Sequence, residues 1–154
     1  MVAMAFAFTT ACAPPPQAMT EADANAVRDT VTKLEDAVNA AVDRLDCTTG
    51  FKAVGDREPM FVTNALLVRK RAAFEAACNG MVQPRTGAVF VVDTLTAHAL
   101  APNAAYVVRE GKYTISFKDG KSDKQYLIMT SVWEKRDGNW LMVHLHESFK
   151  PLAP

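Results

Sequence analysis

Near its C-terminal end the chain reads NWLMVHLHESF, Asn139 to Phe149, and sets His144 and His146 two residues apart among apolar neighbours. Imidazole titrates close to neutral pH, so such a pair can carry protons, exchange hydrogen bonds or ligate a metal. If the stretch is a strand, alternation puts Trp140, Met142, His144, His146 and Ser148 on one face, with like-facing side chains about 6.5–7 Å apart. Three roles then compete for the histidines. They are half-buried polar groups satisfied by Ser148, Glu147 or backbone; they bind a ligand or move a proton at a pocket; or they hold a metal, which needs a further ligand when only His98 remains among the histidines. Arg109 and Tyr113, four residues apart, share a parity on another strand-like stretch. There the guanidinium fork can clamp a carboxylate and the phenol can donate a hydrogen bond. An exposed Arg and an interface Tyr are the plainer reading of that pair.

The elements that must position these groups are legible from periodicity. Thr20 and Asp23 form a variant of the capping box, and Val27, Val31, Leu34, Val38, Val42 and Leu45 recur at steps of three and four. That predicts one long amphipathic helix over residues 20–46, whose other face, Arg28, Asp29, Lys33, Glu35, Asp36 and Asp43, reads as solvated. CTTGFKAVGDREP supports at most one short helical turn, and MFVTNALLV reads as a small hairpin around Asn64. RKRAAFEAACNGM predicts a second full helix near residues 70–80. After QPRTG the period becomes strand-like. Residues 88–100, 104–117, 124–135 and 139–149 are rich in β-branched and aromatic residues and are separated by the turn-forming APN, KDGKSD and RDGN. Four long antiparallel strands follow the helices. Apolar residues at both parities, as in Trp140 and Met142 against Leu141, Val143 and Leu145, require both sheet faces to be covered, one by the helices and the other by a second copy of the chain. Trp133 and Trp140 read as core or cross-strand packing.

Composition narrows the function classes. With 154 residues the chain has room for one domain, and 17 basic residues balance 17 acidic ones with neither sign gathered into a run, so nucleic acid is not an expected partner. Gly-rich phosphate loops, Cys-x-x-Cys pairs and Gly-x-Ser-x-Gly elbows are missing, and we assign neither a metal nor a cofactor. The uncharged opening MVAMAFAFTTA leads to Cys12 and then APPP. It resembles a bacterial lipoprotein signal, in which the cysteine takes the lipid. The expected arrangement is therefore a leader and Pro-rich linker over residues 1–19, a domain over 20–150 and a short tail over 151–154. The protein is expected to be exported, periplasmic or lipid-anchored in a bacterium, with a cytoplasmic extension as the alternative. Any membrane contact would pass through lipid on Cys12. Cys47 and Cys78 are then an even pair, a candidate disulfide in an oxidising compartment or two buried thiols.

The element order, long helix, helical turn, hairpin, helix and four long strands, resembles the nuclear transport factor two-like superfamily, a cone of curved sheet closed by an N-terminal helix. VTNALLVRKRAAFEAA and VWEKRDGNWLMVHLHESF are similar to two segments of its SnoaL-like members. The kinase association domain of calcium/calmodulin-dependent kinases ends in a similar way. Ala65 and Lys70 stand where glycines are common in the family. The resemblance implies an α+β fold: a curved antiparallel sheet of four long strands plus a short hairpin, wrapped around the first helix with an internal cavity. In that cone the last strand lines the wall, which makes His144 and His146 the candidate catalytic pair, with Arg109, Tyr113, His98 and Ser148 as candidate ligand-binding residues. The steroid isomerases of the superfamily pair a Tyr in the first helix with an Asp near the hairpin; neither is present here, so that mechanism does not carry over. Two functions are compatible with these features. One is a small-molecule-binding domain for an apolar ligand with a polar or acidic group, with or without isomerase, cyclase or dehydratase chemistry. The other is a non-catalytic oligomerisation module like the kinase association domain.

Overall fold

In the computed structural model, residues 18–57, 59–63 and 65–152 are described; the proposed lipidation at Cys12 lies outside them, as does nearly all of the expected leader. Helix α1 runs Glu21–Asp43, α2 Cys47–Gly50 and α3 Arg71–Val82; strands β1 (Met60–Thr63) and β2 (Leu66–Val68) form the hairpin before α3. The long strands are β3 (Arg85–Ala101), β4 (Ala104–Phe117), β5 (Ser122–Arg136) and β6 (Asn139–Pro151). The sheet order is β2-β1-β6-β5-β4-β3. The long strands pair antiparallel as expected, while β1 joins β6 in parallel.

Local chemistry accounts for most of the boundaries. The Thr20 side chain accepts a hydrogen bond from the Asp23 N–H and the Asp23 carboxylate accepts one from the Thr20 N–H, so the capping box satisfies orphan donors at the start of α1. Asp137 and Gly138 adopt φ 52° and 82° between the paired Arg136 and Asn139, a two-residue turn whose twist suits an antiparallel hairpin. Ala65, in the β1–β2 turn, holds φ 63°, a left-handed conformation that glycine adopts at lower cost.

The sheet is strongly curved, and its curvature has identifiable sources. Register shifts interrupt β3 between Arg85 and Gly87, between Val92 and Thr94, and between Ala99 and Ala101. Such bulges bend and twist a strand. Gly111 on β4 faces the middle one, and a Cβ there would lie 2.1 Å from the Val91 carbonyl oxygen. Only glycine permits that approach of two strands. The concave face packs on α1 through Val27, Val31, Val38 and Ala41, with Phe90, Val107, Trp133 and Met142 opposite.

A further bulge changes which residues face the concave side. Val132 pairs with His144 while the next residue, Trp133, pairs with Met142, which leaves Val143 as an extra residue in β6. Trp140 and Met142 turn toward α1, and beyond Val143 the alternation is reversed. Leu145 is therefore buried inside, where the unbroken alternation expects an outer-face residue needing a partner. His144, His146 and Ser148 fall on the convex face, beside their β5 partners Val132, Thr130 and Ile128. One-residue slips have this effect because the side-chain period of a strand is two.

Candidate functional site

A pocket of about 260 Å³ opens on the concave face between the sheet, α2 and α3. Its walls are mostly apolar, with Phe90, Ile115, Leu127, Met129 and Phe149 among them. Polar groups enter this lining from every side: Asn39 from α1, Asp46 before α2, Thr63 from β1, Arg85 from the start of β3, Arg109 and Tyr113 from β4, Asp123 and Gln125 from β5, and Glu147 from β6. Apolar walls with a few convergent polar groups are the usual composition of a small-molecule site.

Glu147 is the acid that the reversed parity of β6 delivers to the pocket. It pairs with Met129 on one side and Thr63 on the other. Burial pushes its carboxyl pKa above the usual range; the Thr63 hydroxyl, the Arg109 and Arg85 guanidiniums and His146 pull it the other way without prevailing. A carboxyl raised in this manner holds its proton to higher pH than a free one, and can donate a hydrogen bond or exchange the proton with a bound molecule. Reading the last strand by strict alternation places this residue outside, directly after His146. The signal that could have found it is the single carboxylate in an apolar strand.

Arg109 is buried, with its side chain 3% exposed, and is already paired. Its Nε lies 3.2 Å from Glu35 Oε2, close but not aligned as a hydrogen bond, and its NH1 donates to the Glu35 carbonyl oxygen at 3.1 Å. The guanidinium also sits over the Phe90 ring, 5.5 Å from the centroid. Glu35 Oε1 accepts hydrogen bonds from Ser131 Oγ and from Trp133 Nε1, the latter at 2.8 Å. Glu35 is thus not on a solvated helix face, as its neighbours suggest, but at 1% exposure in the core. Its spacing of four from Val31 places it on the apolar stripe, and that was the available signal. Asp43, also read as solvated, accepts a hydrogen bond from the Phe90 N–H at 2.9 Å. The charge of Arg109 is therefore matched from within.

Tyr113 is buried, and its hydroxyl accepts a hydrogen bond from Arg85 NH1 at 3.2 Å. Burial raises the phenol pKa, with Glu147 and Asp43 adding to the shift and Arg85 opposing it. Arg85 lies in the segment QPRTG, which reads as a turn in the sequence, and so escapes a search confined to strands.

The remaining sequence candidates separate from this group. His98 is exposed on the convex face and stacks on Tyr106, with ring centroids 4.6 Å apart. His144 lines a shallow groove with Met60, Asp56 and Glu134, while His146 and Ser148 are exposed. In sheet order His98, Tyr106, Val132 and His144 lie on successive strands, so His98 and His144 stand two whole strands apart. Among the described residues there is no group of three or more metal-ligating side chains. Cys47 and Cys78 form a disulfide with Cα atoms 5.9 Å apart, joining α2 to α3 at the rim of the pocket.

The same architecture occurs in solved structures. One is a nuclear transport factor 2-like superfamily protein from Salmonella enterica, with 20% identity and a TM-score of 0.72 over 84% of this chain and 94% of that one. Another is the association domain of the calcium/calmodulin-dependent kinase II of Caenorhabditis elegans, with 16% identity and a TM-score of 0.66 over 80% and 96%. A third is a hexachlorocyclohexane dehydrochlorinase from Novosphingobium barchaimii, with 17% identity and a TM-score of 0.72 over 87% and 95%. At these identities the likeness concerns the fold. No curated protein matches the sequence. The sequence profile of the SnoaL-like domain matches residues 18–152, nearly the whole of the described chain, and the protein accordingly belongs to the SnoaL-like domain family.

Proposed function

We propose that the concave pocket binds a small, mainly apolar molecule carrying a polar group, and that Glu147 is the residue which exchanges a proton or a hydrogen bond with it. The observation that carries this reading is the placement of one carboxyl of raised pKa in a pocket with mostly apolar walls, beside two guanidiniums and a buried phenol. Burying such a group without use costs stability, which is why perturbed acids concentrate at functional sites. His144 and His146 take no part in this reading. If the molecule is transformed as well as bound, the chemistry open to Glu147 is proton transfer: isomerisation, elimination or dehydration. The dehydrochlorinase among the structural neighbours is compatible with that, and carries no weight beyond the fold. Native mass spectrometry of protein purified without added ligand tests the proposal, with Leu127→Trp as a variant that fills the pocket. Retained small molecules in the wild type and in His144→Ala/His146→Ala, lost in Leu127→Trp, support it. Empty protein throughout, with no member of a library of small aromatic and aliphatic compounds raising the melting temperature, defeats it.

An assembly role is the second reading, favoured by the convex face. Val89, Val91 and Ile128 are 51%, 56% and 43% exposed there, and one of the structural neighbours is an association domain by name. A second copy of the chain would cover this face in an isologous contact. Light scattering at tens of micromolar, roughly the working range for an obligate interface, separates dimer from monomer. Export of the protein, with or without lipid on Cys12, is part of the same proposal and is supported by the disulfide, since such bonds persist in oxidising compartments.

A further inference from the structure

Arg85 differs from Arg109 in making no ion pair, although its charge acts on Glu147 at longer range. Among the described residues no carboxylate lies within the 4.0 Å ion-pair distance of its guanidinium, as is also true of the exposed Arg44 and Arg69, whereas Arg28, Arg57, Arg71, Arg109 and Arg136 each have one. Its NH1 is used on Tyr113, its Nε is enclosed by protein, and its NH2, which is not enclosed, donates to no acceptor among the described residues. Tyr113 uses its oxygen to accept that bond, and its own O–H donates to no acceptor among the described residues. The Arg85 NH2 and the Tyr113 O–H, the first of them cationic, are therefore two adjacent donors on the pocket wall left without a protein partner among the described residues. Buried donors normally find partners, so a pair left without them is an unfilled half of an interaction.

We infer that Arg85 and Tyr113 form the anchor for a carboxylate, and that the pocket's ligand is a small apolar carboxylic acid whose charged end sits between them. The inference rests on the ligand-binding reading above and adds the chemical class. A guanidinium and a phenol O–H together match the two oxygens and the planar geometry of a carboxylate. A phosphate fits less well. It would bring a charge of about −1.5 to −2 into a pocket that Asp46, Asp123 and Glu147 already line. Of these acids, Asp46 caps α2 through the Thr49 N–H, Asp123 accepts from Gln125, and Glu147 lies beyond ion-pair distance of Arg85. The apolar body of the ligand would lie along Phe90, Leu127 and Met129.

Calorimetric or NMR titrations with matched pairs of phenylalkanoic acids and the corresponding phenylalkanols test this. Wild-type protein should bind the acids about ten-fold or more tighter than the alcohols, as a charge-assisted pair in a sheltered site provides. Arg85→Gln should abolish that preference while leaving alcohol affinity within about two-fold, a difference of a few tenths of a kcal/mol. Tyr113→Phe should reduce the preference several-fold. It serves as the second variant if Arg85→Gln does not fold. Equal affinity for acids and alcohols in the wild type, with both lost in Leu127→Trp, overturns the anchor and leaves the pocket reading intact. A preference for acids that survives Arg85→Gln overturns the anchor as well. If neither series binds the wild type, the pocket reading fails and this inference falls with it.

Discussion

Replacing Glu147 by Gln should stabilise the protein, and increasingly so as the pH rises. In the folded chain burial holds the Glu147 proton more tightly than water does in the unfolded chain, so the native state binds more protons in the window above the ordinary glutamic acid pKa, 4.5. Stability conferred by this group is fully present below that value. It falls as pH rises toward the folded pKa and levels off beyond it. The slope within that window is at most about 1.4 kcal/mol per pH unit, the free energy of one proton bound differently in two states. Gln is nearly isosteric and does not titrate, so Glu147→Gln removes the slope. Against the wild type, the variant should be near-neutral at pH 4 and progressively more stable as the pH rises above the ordinary glutamic acid range. Urea denaturation followed by tryptophan fluorescence in half-unit steps across this range measures both curves. A stability difference independent of pH, or one that grows in favour of the wild type as pH rises, would refute the reasoning. It would mean that Arg109, Arg85 and Thr63 outweigh the burial of the carboxyl.

Three further perturbations probe the frame around the pocket. Glu35→Ala strips the buried Arg109 of its carboxylate and Trp133 Nε1 of its acceptor, and should cost about 3–5 kcal/mol in denaturant melts; a loss below about 1 kcal/mol would show that Arg109 finds water or another partner at once. Gly111→Ala places a methyl 2.1 Å from the Val91 carbonyl oxygen, and a loss of about 1–3 kcal/mol is expected from forcing β3 and β4 apart, with an unchanged midpoint contradicting the tight approach. Reducing the Cys47–Cys78 bond, which closes a loop with a sequence separation of 31, should lower stability by roughly 3–4 kcal/mol in the chain-entropy account; equal urea midpoints with and without reductant would contradict it.

The contrast between what could be read and what could not has physical causes. α1, α3, the hairpin and the four long strands follow from periodicities of 3.6 and 2 with turn residues between them, and their observed limits differ from the expected ones by only a few residues. Side-chain direction in β6 depends on one unpaired residue, Val143. Nothing in LMVHLHE marks a bulge, since alternation looks equally regular on either side of it. That single residue exchanges His146 for Glu147 at the pocket. Tyr113 and Arg109 were found by parity on β4, where the pairing with β5 runs without interruption. Their roles were not legible, because the partner that neutralises Arg109 lies 74 residues away in α1 and the cation that Tyr113 meets lies 28 residues away at the start of β3. Charge pairing across such distances is a property of the fold, and one sequence carries little trace of it. The broad apolar character of both sheet faces was legible, and the exposed Val89, Val91 and Ile128 remain as its mark.

The most direct measurement is a methyl NMR titration of protein labelled at methionine with 13C, using a phenylalkanoic acid as ligand. Met129 and Met81 line the concave pocket, while Met60 lies in the groove beside His144 on the other side of the sheet. Saturable shifts of the Met129 and Met81 methyls, with Met60 unmoved and the effect absent in Leu127→Trp, are what a functional concave pocket predicts. Shifts confined to Met60, or shifts abolished by His144→Ala and untouched by Leu127→Trp, would place the site with the histidines on the convex face and contradict the account.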